Sequence, residues 1–220
     1  MNGHVLHMAA TRSSEKFPSS CYDSIVSYFD GYVTESRNAA SKIETADLAR
    51  AAEILVDAYA GDAIVFSCGN GGSAAIANHL QCDHAKGIGT STALHPRVVS
   101  LSSNVEIITA IANDISYEDV FSLQLQLQAR PGDVLIAISS SGRSPNIVQA
   151  LRWARENSLR TISLTGFDGG PARATAEVAI HVDCANYGII EDLHQAVMHS
   201  LAQYIRHSQM SPDAVSSSTF

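Results

Sequence analysis

From Asp62 onward, short apolar and β-branched runs alternate with longer segments whose apolar residues recur at helical spacing. That alternation is the pattern of βαβ units around a mostly parallel sheet. The short runs predict five strands, over 63–67, 97–101, 133–138, 160–165 and 178–182; the longer ones predict helices over 74–86, 105–111, 117–128, 145–156 and 189–207. Ahead of them Ile25, Tyr28, Phe29 and Val33, then Leu48, Ala52, Leu55 and Val56, also recur at helical spacing, with Thr45 placed to cap the second run. An α/β fold follows, with a five-stranded, mostly parallel sheet flanked by helices and preceded by a helical hairpin. No repeat or compositional shift divides the chain. One domain is expected over residues 21–207, with mobile ends at 1–20 and in the Ser-rich stretch 208–220.

A chain of 220 residues, 45% hydrophobic, is long enough for one such domain and too short for two. A net charge of −8 argues against a surface built for nucleic acid or anionic membrane, both of which need basic patches. Cys21, Cys68, Cys82 and Cys184 form no CxxC pair and sit in or beside apolar runs, which reads as buried free thiols in a reducing compartment. No apolar run reaches the roughly 18 to 20 residues that span a bilayer, and the first twenty residues lack the apolar core of a secretory signal. A soluble, cytoplasmic protein is expected.

Candidate chemistry begins in two strand-to-helix loops. Cys68-Gly69-Asn70-Gly71-Gly72-Ser73 follows an apolar strand and opens a helix, where unbonded N–H groups and the helix dipole favour an anion; an ordinary Gly-rich turn capped by Ser73 is the bland alternative. It matches neither GxGxxG nor GxxxxGK[ST], so a dinucleotide or nucleoside triphosphate is not indicated. The second loop, Ser139-Ser140-Ser141-Gly142-Arg143-Ser144, also follows a buried strand, and Pro145 suits the first turn of the next helix. Four hydroxyls, a glycine and an arginine there make a donor-rich cup for a phosphate dianion, more than capping by Ser144 alone requires.

Ionisable residues cluster on two helices. His79 and Asp83 are four apart and share a face; Glu191 and His199, eight apart, fall within about 80° of one another around theirs. His194 completes a Glu-x-x-His spacing with Glu191 on the flank of that face, and His84 and Lys86 could face a substrate or simply suit a helix C-terminus.

The segments CGNGGSAA, TAIANDISYEDVF, ISSSGRSPN and TISLTGFDGG, in uninterrupted order over about residues 25–207, closely resemble the SIS (sugar isomerase) family, and within it the phosphoheptose isomerases. The resemblance implies a doubly wound SIS fold assembled as a homotetramer with active sites at subunit interfaces. It implies interconversion of sedoheptulose 7-phosphate and D-glycero-D-manno-heptose 7-phosphate through an enediolate. Ser139, Ser140, Ser141 and Ser144 match the family's phosphate-binding residues, and Asn70, Gly71 and Ser73 match its first substrate loop. Asn113 and Asp114 match an Asn-Asp pair near the sugar, or serve as a helix C-cap and turn. At the positions of His79, Asp83, Glu191 and His199 the isomerases carry His, Glu, Gln and His, which bind zinc in some members. Asp83 is implied as the base and His199 as the acid. The four together could instead hold Zn²⁺, and the two roles compete for Asp83. Asp83 in place of glutamate retracts the carboxylate by one methylene, and Glu191 in place of glutamine adds a charge. These departures leave open another sugar phosphate as substrate. A non-catalytic SIS scaffold resembling the DnaA-associating initiator protein, or a sugar-phosphate sensor, is the rival outside enzymes.

Overall fold

The computed structural model describes residues 16–90 and 92–220. Five parallel strands, β1 (Ile64–Gly69), β2 (Arg97–Ser100), β3 (Val134–Ser139), β4 (Arg160–Thr165) and β5 (Val178–His181), form a single sheet in the order β2-β1-β3-β4-β5. The chain leaves β1 toward β2 on one side and returns to β3 on the other. In open α/β sheets a ligand crevice lies at such a reversal, outside the carboxyl ends of the strands. Gly69 stands opposite Ile138, so the loops after β1 and β3 emerge side by side.

Alternation along the strands supplies two apolar faces. Val65, Val134, Ile136 and Ile138 pack toward α2 (Thr45–Ala60), α3 (Gly72–Cys82) and α8 (Tyr187–Ser208). Phe66, Cys68, Leu135 and Ala137 pack toward α4 (Val105–Asp114), α5 (Ser122–Gln128) and α6 (Pro145–Glu156). Each fully buried aliphatic or aromatic side chain contributes about 1.5–3 kcal/mol. The doubly wound α/β class is therefore observed.

The hairpin is α1 (Ile25–Ala40) followed by α2. Ser24 caps α1 by accepting from the Ser27 N–H at 3.1 Å. Thr45 is the first helical residue of α2 rather than its cap, a position held by Glu44 without a side-chain bond. Apolar residues of α1 divide between two faces: Ile25, Phe29 and Val33 are exposed, whereas Tyr28 and Tyr32 turn inward. Between α6 and β5 a short helix, α7 (Gly170–Thr175), was not expected from the pattern, because six residues carry too little periodicity to register.

Both expected ends differ in detail. Residues 1–15 lie outside the described residues, but Phe17 is buried, its ring 5.8, 5.3 and 6.0 Å from those of Tyr22, Tyr28 and Tyr32. Its carbonyl accepts from Asn186 Nδ2 at 3.1 Å. Packing thus begins before residue 21. Within 208–220 a helix, α9 (Pro212–Ser217), starts from Ser211, whose hydroxyl accepts from Ala214 N–H, and from a proline in its first turn. The Arg206 guanidinium lies over the Phe220 ring at 4.7 Å. Cys68 and Cys184 are buried as expected, whereas Cys21 and Cys82 are exposed. Among the described residues no helix is long and apolar enough to cross a membrane.

Two histidines are enclosed. His84 is fully buried and pairs through Nδ1 with the Tyr59 hydroxyl at 2.6 Å. His194 is also fully buried, and among the described residues neither ring nitrogen makes a well-formed hydrogen bond; a contact with the Thr165 backbone offsets its burial only in part. Burial lowers both from 6.5 to about 4.

Replacing Phe17→Ala should cost about 3 kcal/mol, read as a lower urea midpoint at unchanged slope; an unchanged midpoint would place Phe17 outside the cooperative unit. Because His194 is neutral in the fold and protonates readily once unfolded, its contribution is complete above about pH 6.5 and is lost as pH falls toward 4. His84 adds a like contribution, so urea titrations at pH 7 and 4.5 should show a loss that is smaller by about 2 kcal/mol in His194→Leu than in the wild type; equal losses in the two proteins would contradict a buried neutral imidazole at 194.

Candidate functional site

At the β1/β3 reversal a cavity of about 270 Å³ separates the two loops. One wall is Asn70, Gly71, Gly72 and Ser73, and the other is Ser139, Ser140, Ser141 and Ser144. Gly71, at φ 53°, is the N-cap of α3, and Ser73 lies buried inside the helix. Neither Ser73 nor Ser144 caps its helix through the side chain, so the hydroxyls are not spent on that role. The Ser139 hydroxyl accepts from the Gly142 N–H at 3.1 Å, and the Ser141 hydroxyl from the Arg143 N–H at 3.3 Å. Ser140 Oγ is buried without a partner among the described residues, the kind of orphan that a bound anion would satisfy.

Both loops are held from behind. Gly142 sits at φ 62°, and a Cβ there would collide with the Gly169 carbonyl. Its own carbonyl accepts from Ala172 N–H at 3.0 Å, fastening the serine loop to the start of α7. Asn70 and Asn146 exchange amide hydrogen bonds of 2.9 and 3.0 Å across the gap between the loops, and the Tyr117 hydroxyl donates to Asn70 Oδ1 at 3.1 Å. Arg143, expected to contribute to the cup, instead points outward to the Asp168 carboxylate, whose pKa this hydrogen bond lowers. A carboxylate at the neighbouring turn competes for the guanidinium that the sequence pattern assigned to phosphate.

Four residues of α8, at 187, 191, 195 and 199, are spaced by one helical turn each and run as a stripe away from the cavity. Tyr187 and Glu191 line it. Gln195 Nε2 lies 3.1 Å from His79 Nδ1 and 2.9 Å from His199 Nε2. The Asp83 carboxylate closes the group, 3.3 Å from His79 Nε2 and 3.4 Å from His199 Nε2. The two imidazoles meet edge to face at 5.0 Å. Asp83 opens a π-helical turn, Asp83–Ile88, whose wider backbone departs from α3 at this point.

His79, Asp83 and His199 present ligand atoms within 4.8 Å of one another, an arrangement that could hold a metal ion. Glu191, expected as a fourth member, is not in this group: its carboxylate lies against Gly72, where a Cβ would strike it. Two turns of helix separate it from His199, so a shared face does not bring their side chains to one point. Asn113 and Asp114 end α4 on the surface, bonded to each other at 2.7 Å, and do not line the cavity within a single chain. Tyr117, three residues on from Asp114, is what reaches the first loop. His194 points into the core and His84 toward Tyr59; Lys86 is exposed.

Sequence reasoning missed Gln195 and Asn146. Gln195 falls midway between Glu191 and His199 on their own face, a signal present in the spacing. Asn146 lies just beyond the serine run, where nothing distinguishes it from an ordinary first-turn residue. A larger groove of about 700 Å³ between α2 and α8, lined by Leu48, Ala52, Val56 and Leu201 among others, gathers no comparable set of functional groups.

Comparison with known proteins agrees with this geometry. The SIS domain family matches residues 27–166. The phosphoheptose isomerase of Colwellia psychrerythraea is 37% identical over 174 residues, 78% of this chain and 88% of its own. That of Akkermansia muciniphila is 41% identical over 162 residues, covering 72% and 84% respectively. The structure of the phosphoheptose isomerase from Neisseria gonorrhoeae superposes with a TM-score of 0.76 at 31% identity, over 83% of this chain and 97% of that one. The chain belongs to the SIS domain family and groups there with the phosphoheptose isomerases.

Proposed function

We propose that this protein is an aldose–ketose isomerase that interconverts sedoheptulose 7-phosphate and D-glycero-D-manno-heptose 7-phosphate. The observation that carries the reading is the pairing of a serine cup, whose Ser140 hydroxyl is buried and unpartnered among the described residues, with a histidine-carboxylate group where the end of α3 meets α8. A phosphate sensor needs the cup alone. A scaffold needs neither.

In this reading the phosphate enters the cup, where Ser139, Ser140, Ser141, Ser144 and the first-turn N–H groups of α6 receive its oxygens. The sugar then lies across Asn70, Gly71 and Ser73. Isomerisation moves one proton between neighbouring carbons and another between their oxygens. His199 is the acid that carries the oxygen-bound proton, with Asp83 and Gln195 fixing its ring. His79, Asp83 and His199 could instead hold Zn²⁺, which would supply Lewis-acid polarisation of the carbonyl in place of a free His199 acid. Asn113 and Asp114 are proposed to meet the sugar across a subunit boundary. A homotetramer with shared sites is supported by the half-open histidine group, in which the His79 side chain is 48% exposed, and by the bare apolar stripe Ile25, Phe29 and Val33 on α1. Its soluble, cytoplasmic setting is part of the same proposal.

Incubation of the metal-loaded and the chelated protein with sedoheptulose 7-phosphate in D₂O should place deuterium on the carbon beside the carbonyl, read by mass spectrometry. No incorporation under either condition by folded protein would refute the isomerase reading. Ser141→Ala should raise KM by roughly 10-fold or more through loss of a hydrogen bond to a charged group, with a smaller change in kcat. An unaltered KM would remove Ser141 from the phosphate site.

A further inference from the structure

Hydroxyls and helix N-termini hold a phosphate dianion by its oxygens, and those contacts are the same for inorganic phosphate as for a sugar phosphate. Discrimination between the two must come from groups that touch carbon. Of the residues that line the cavity, only Ile138 and Tyr187 carry large apolar side chains, and Ile138 is fully buried in β3. Tyr187 is 60% exposed.

Its position is set from two sides. Asn186 caps α8 by accepting from the Ile189 N–H at 3.0 Å, and its Nδ2 donates to the Phe17 carbonyl, which anchors the turn that Tyr187 begins. Behind the tyrosine stands Phe167, with 4.7 Å between ring centroids and an inclination of 62°. Phe167 holds φ at 50°, a left-handed conformation that a bulky side chain rarely adopts. Two hydrogen bonds keep it there: its own N–H donates to the Cys184 carbonyl at 3.0 Å, and the Gly166 N–H donates to the Ser140 carbonyl at 2.8 Å. The second of these joins the strained turn to the serine cup itself. Such strain persists where the surrounding structure over-determines it, and it is concentrated at ligand clamps.

We propose that Phe167 and Tyr187 form an aromatic ledge at the rim of the cup, on which the carbons next to the phosphate pack, and that this ledge selects sugar phosphates over inorganic phosphate. The proposal rests on the phosphate-cup part of the isomerase reading and deepens it. Tyr187 is the residue that touches substrate; Phe167 is a positioning residue that keeps the tyrosine ring from turning away. Tyr187 shares the cavity with the serines, whereas Gln195 and the histidines lie farther along α8. The ring therefore meets the carbons that adjoin the phosphate, and the reacting end of the sugar lies beyond it. An aromatic face suits that segment, because it covers the C–H groups while the tyrosine hydroxyl stays in water. Aldose and ketose forms share those carbons, so the ledge holds both alike and acts on KM more than on kcat.

Isothermal titration of the full chain with sedoheptulose 7-phosphate and with inorganic phosphate tests the ledge. Tyr187→Ala should weaken the sugar phosphate by about fivefold or more and leave inorganic phosphate within about twofold, while Tyr187→Phe, which keeps the ring, stays within about twofold for both. Phe167→Asn, whose side chain tolerates the left-handed backbone, should weaken the sugar phosphate by about threefold and leave inorganic phosphate unchanged. Unaltered sugar-phosphate affinity in Tyr187→Ala overturns the proposal. Equal losses for the two ligands also overturn it, since the ring would then support the cup rather than touch carbon. A loss in Tyr187→Phe as large as in Tyr187→Ala overturns it by making the hydroxyl the contact, and unaltered affinity in Phe167→Asn removes Phe167 from the ledge. Wild-type protein that binds both ligands but exchanges no deuterium ends the isomerase reading and leaves the ledge standing; wild-type protein that binds neither ends both.

Discussion

Parallel pairing of β1 with β3 is the constraint on which the site depends. Because Gly69 and Ile138 stand side by side, the chain must turn from strand to helix twice at the same edge of the sheet, and two helix N-termini open into one crevice. Each brings unbonded N–H groups and the positive end of a dipole. Buried strands on both flanks hold this arrangement; Val65, Phe66, Leu135 and Ile136 are almost wholly removed from water. The anion site is therefore a product of sheet topology first and of serine chemistry second.

Along α8 the same helical geometry does two jobs. Its buried side, with Ile190, Val197, Met198, Leu201 and Ile205, seals the core, while the stripe from Tyr187 to His199 projects toward α3. Residues one turn apart on a straight helix lie about 5.4 Å from each other, so a side chain at 191 and one at 199 serve different places. That separation divides the ionisable groups into a pocket carboxylate and a histidine-carboxylate cluster joined by Gln195. The π-helical turn at Asp83 ends α3 where it meets this stripe.

Fold class and strand positions were legible because the strands are short β-branched runs between polar turns; Arg160–Thr165 was placed to the residue. Both loops were legible for the same reason, since each interrupts a hydrophobic run with glycine and hydroxyl residues. What escaped was three-dimensional. Periodicity could not say which side of α1 meets the protein, and the tyrosines proved to face inward while Ile25 and Phe29 stay exposed. On α8 the shared face grouped Glu191 with His199, although their eight-residue spacing, about 12 Å of helix rise, already set them apart along the axis. Arg143 looked like a phosphate ligand until Asp168, twenty-five positions away, was brought to it by the turn after β4.

The amide pair between Asn70 and Asn146 bears on how this site can change over time. Each side chain supplies both the donor and the acceptor that the other needs, and Asn146 is 1% exposed. Altering Asn70 alone strands the buried Asn146 amide at a cost of about 1–3 kcal/mol, whereas Asn70, half-buried and also bonded to Tyr117, loses less when Asn146 is altered. Two positions 76 residues apart in the chain thus share one hydrogen-bonding requirement. A first substitution at Asn70 is therefore tolerated only while the rest of the fold has about that much stability to spare.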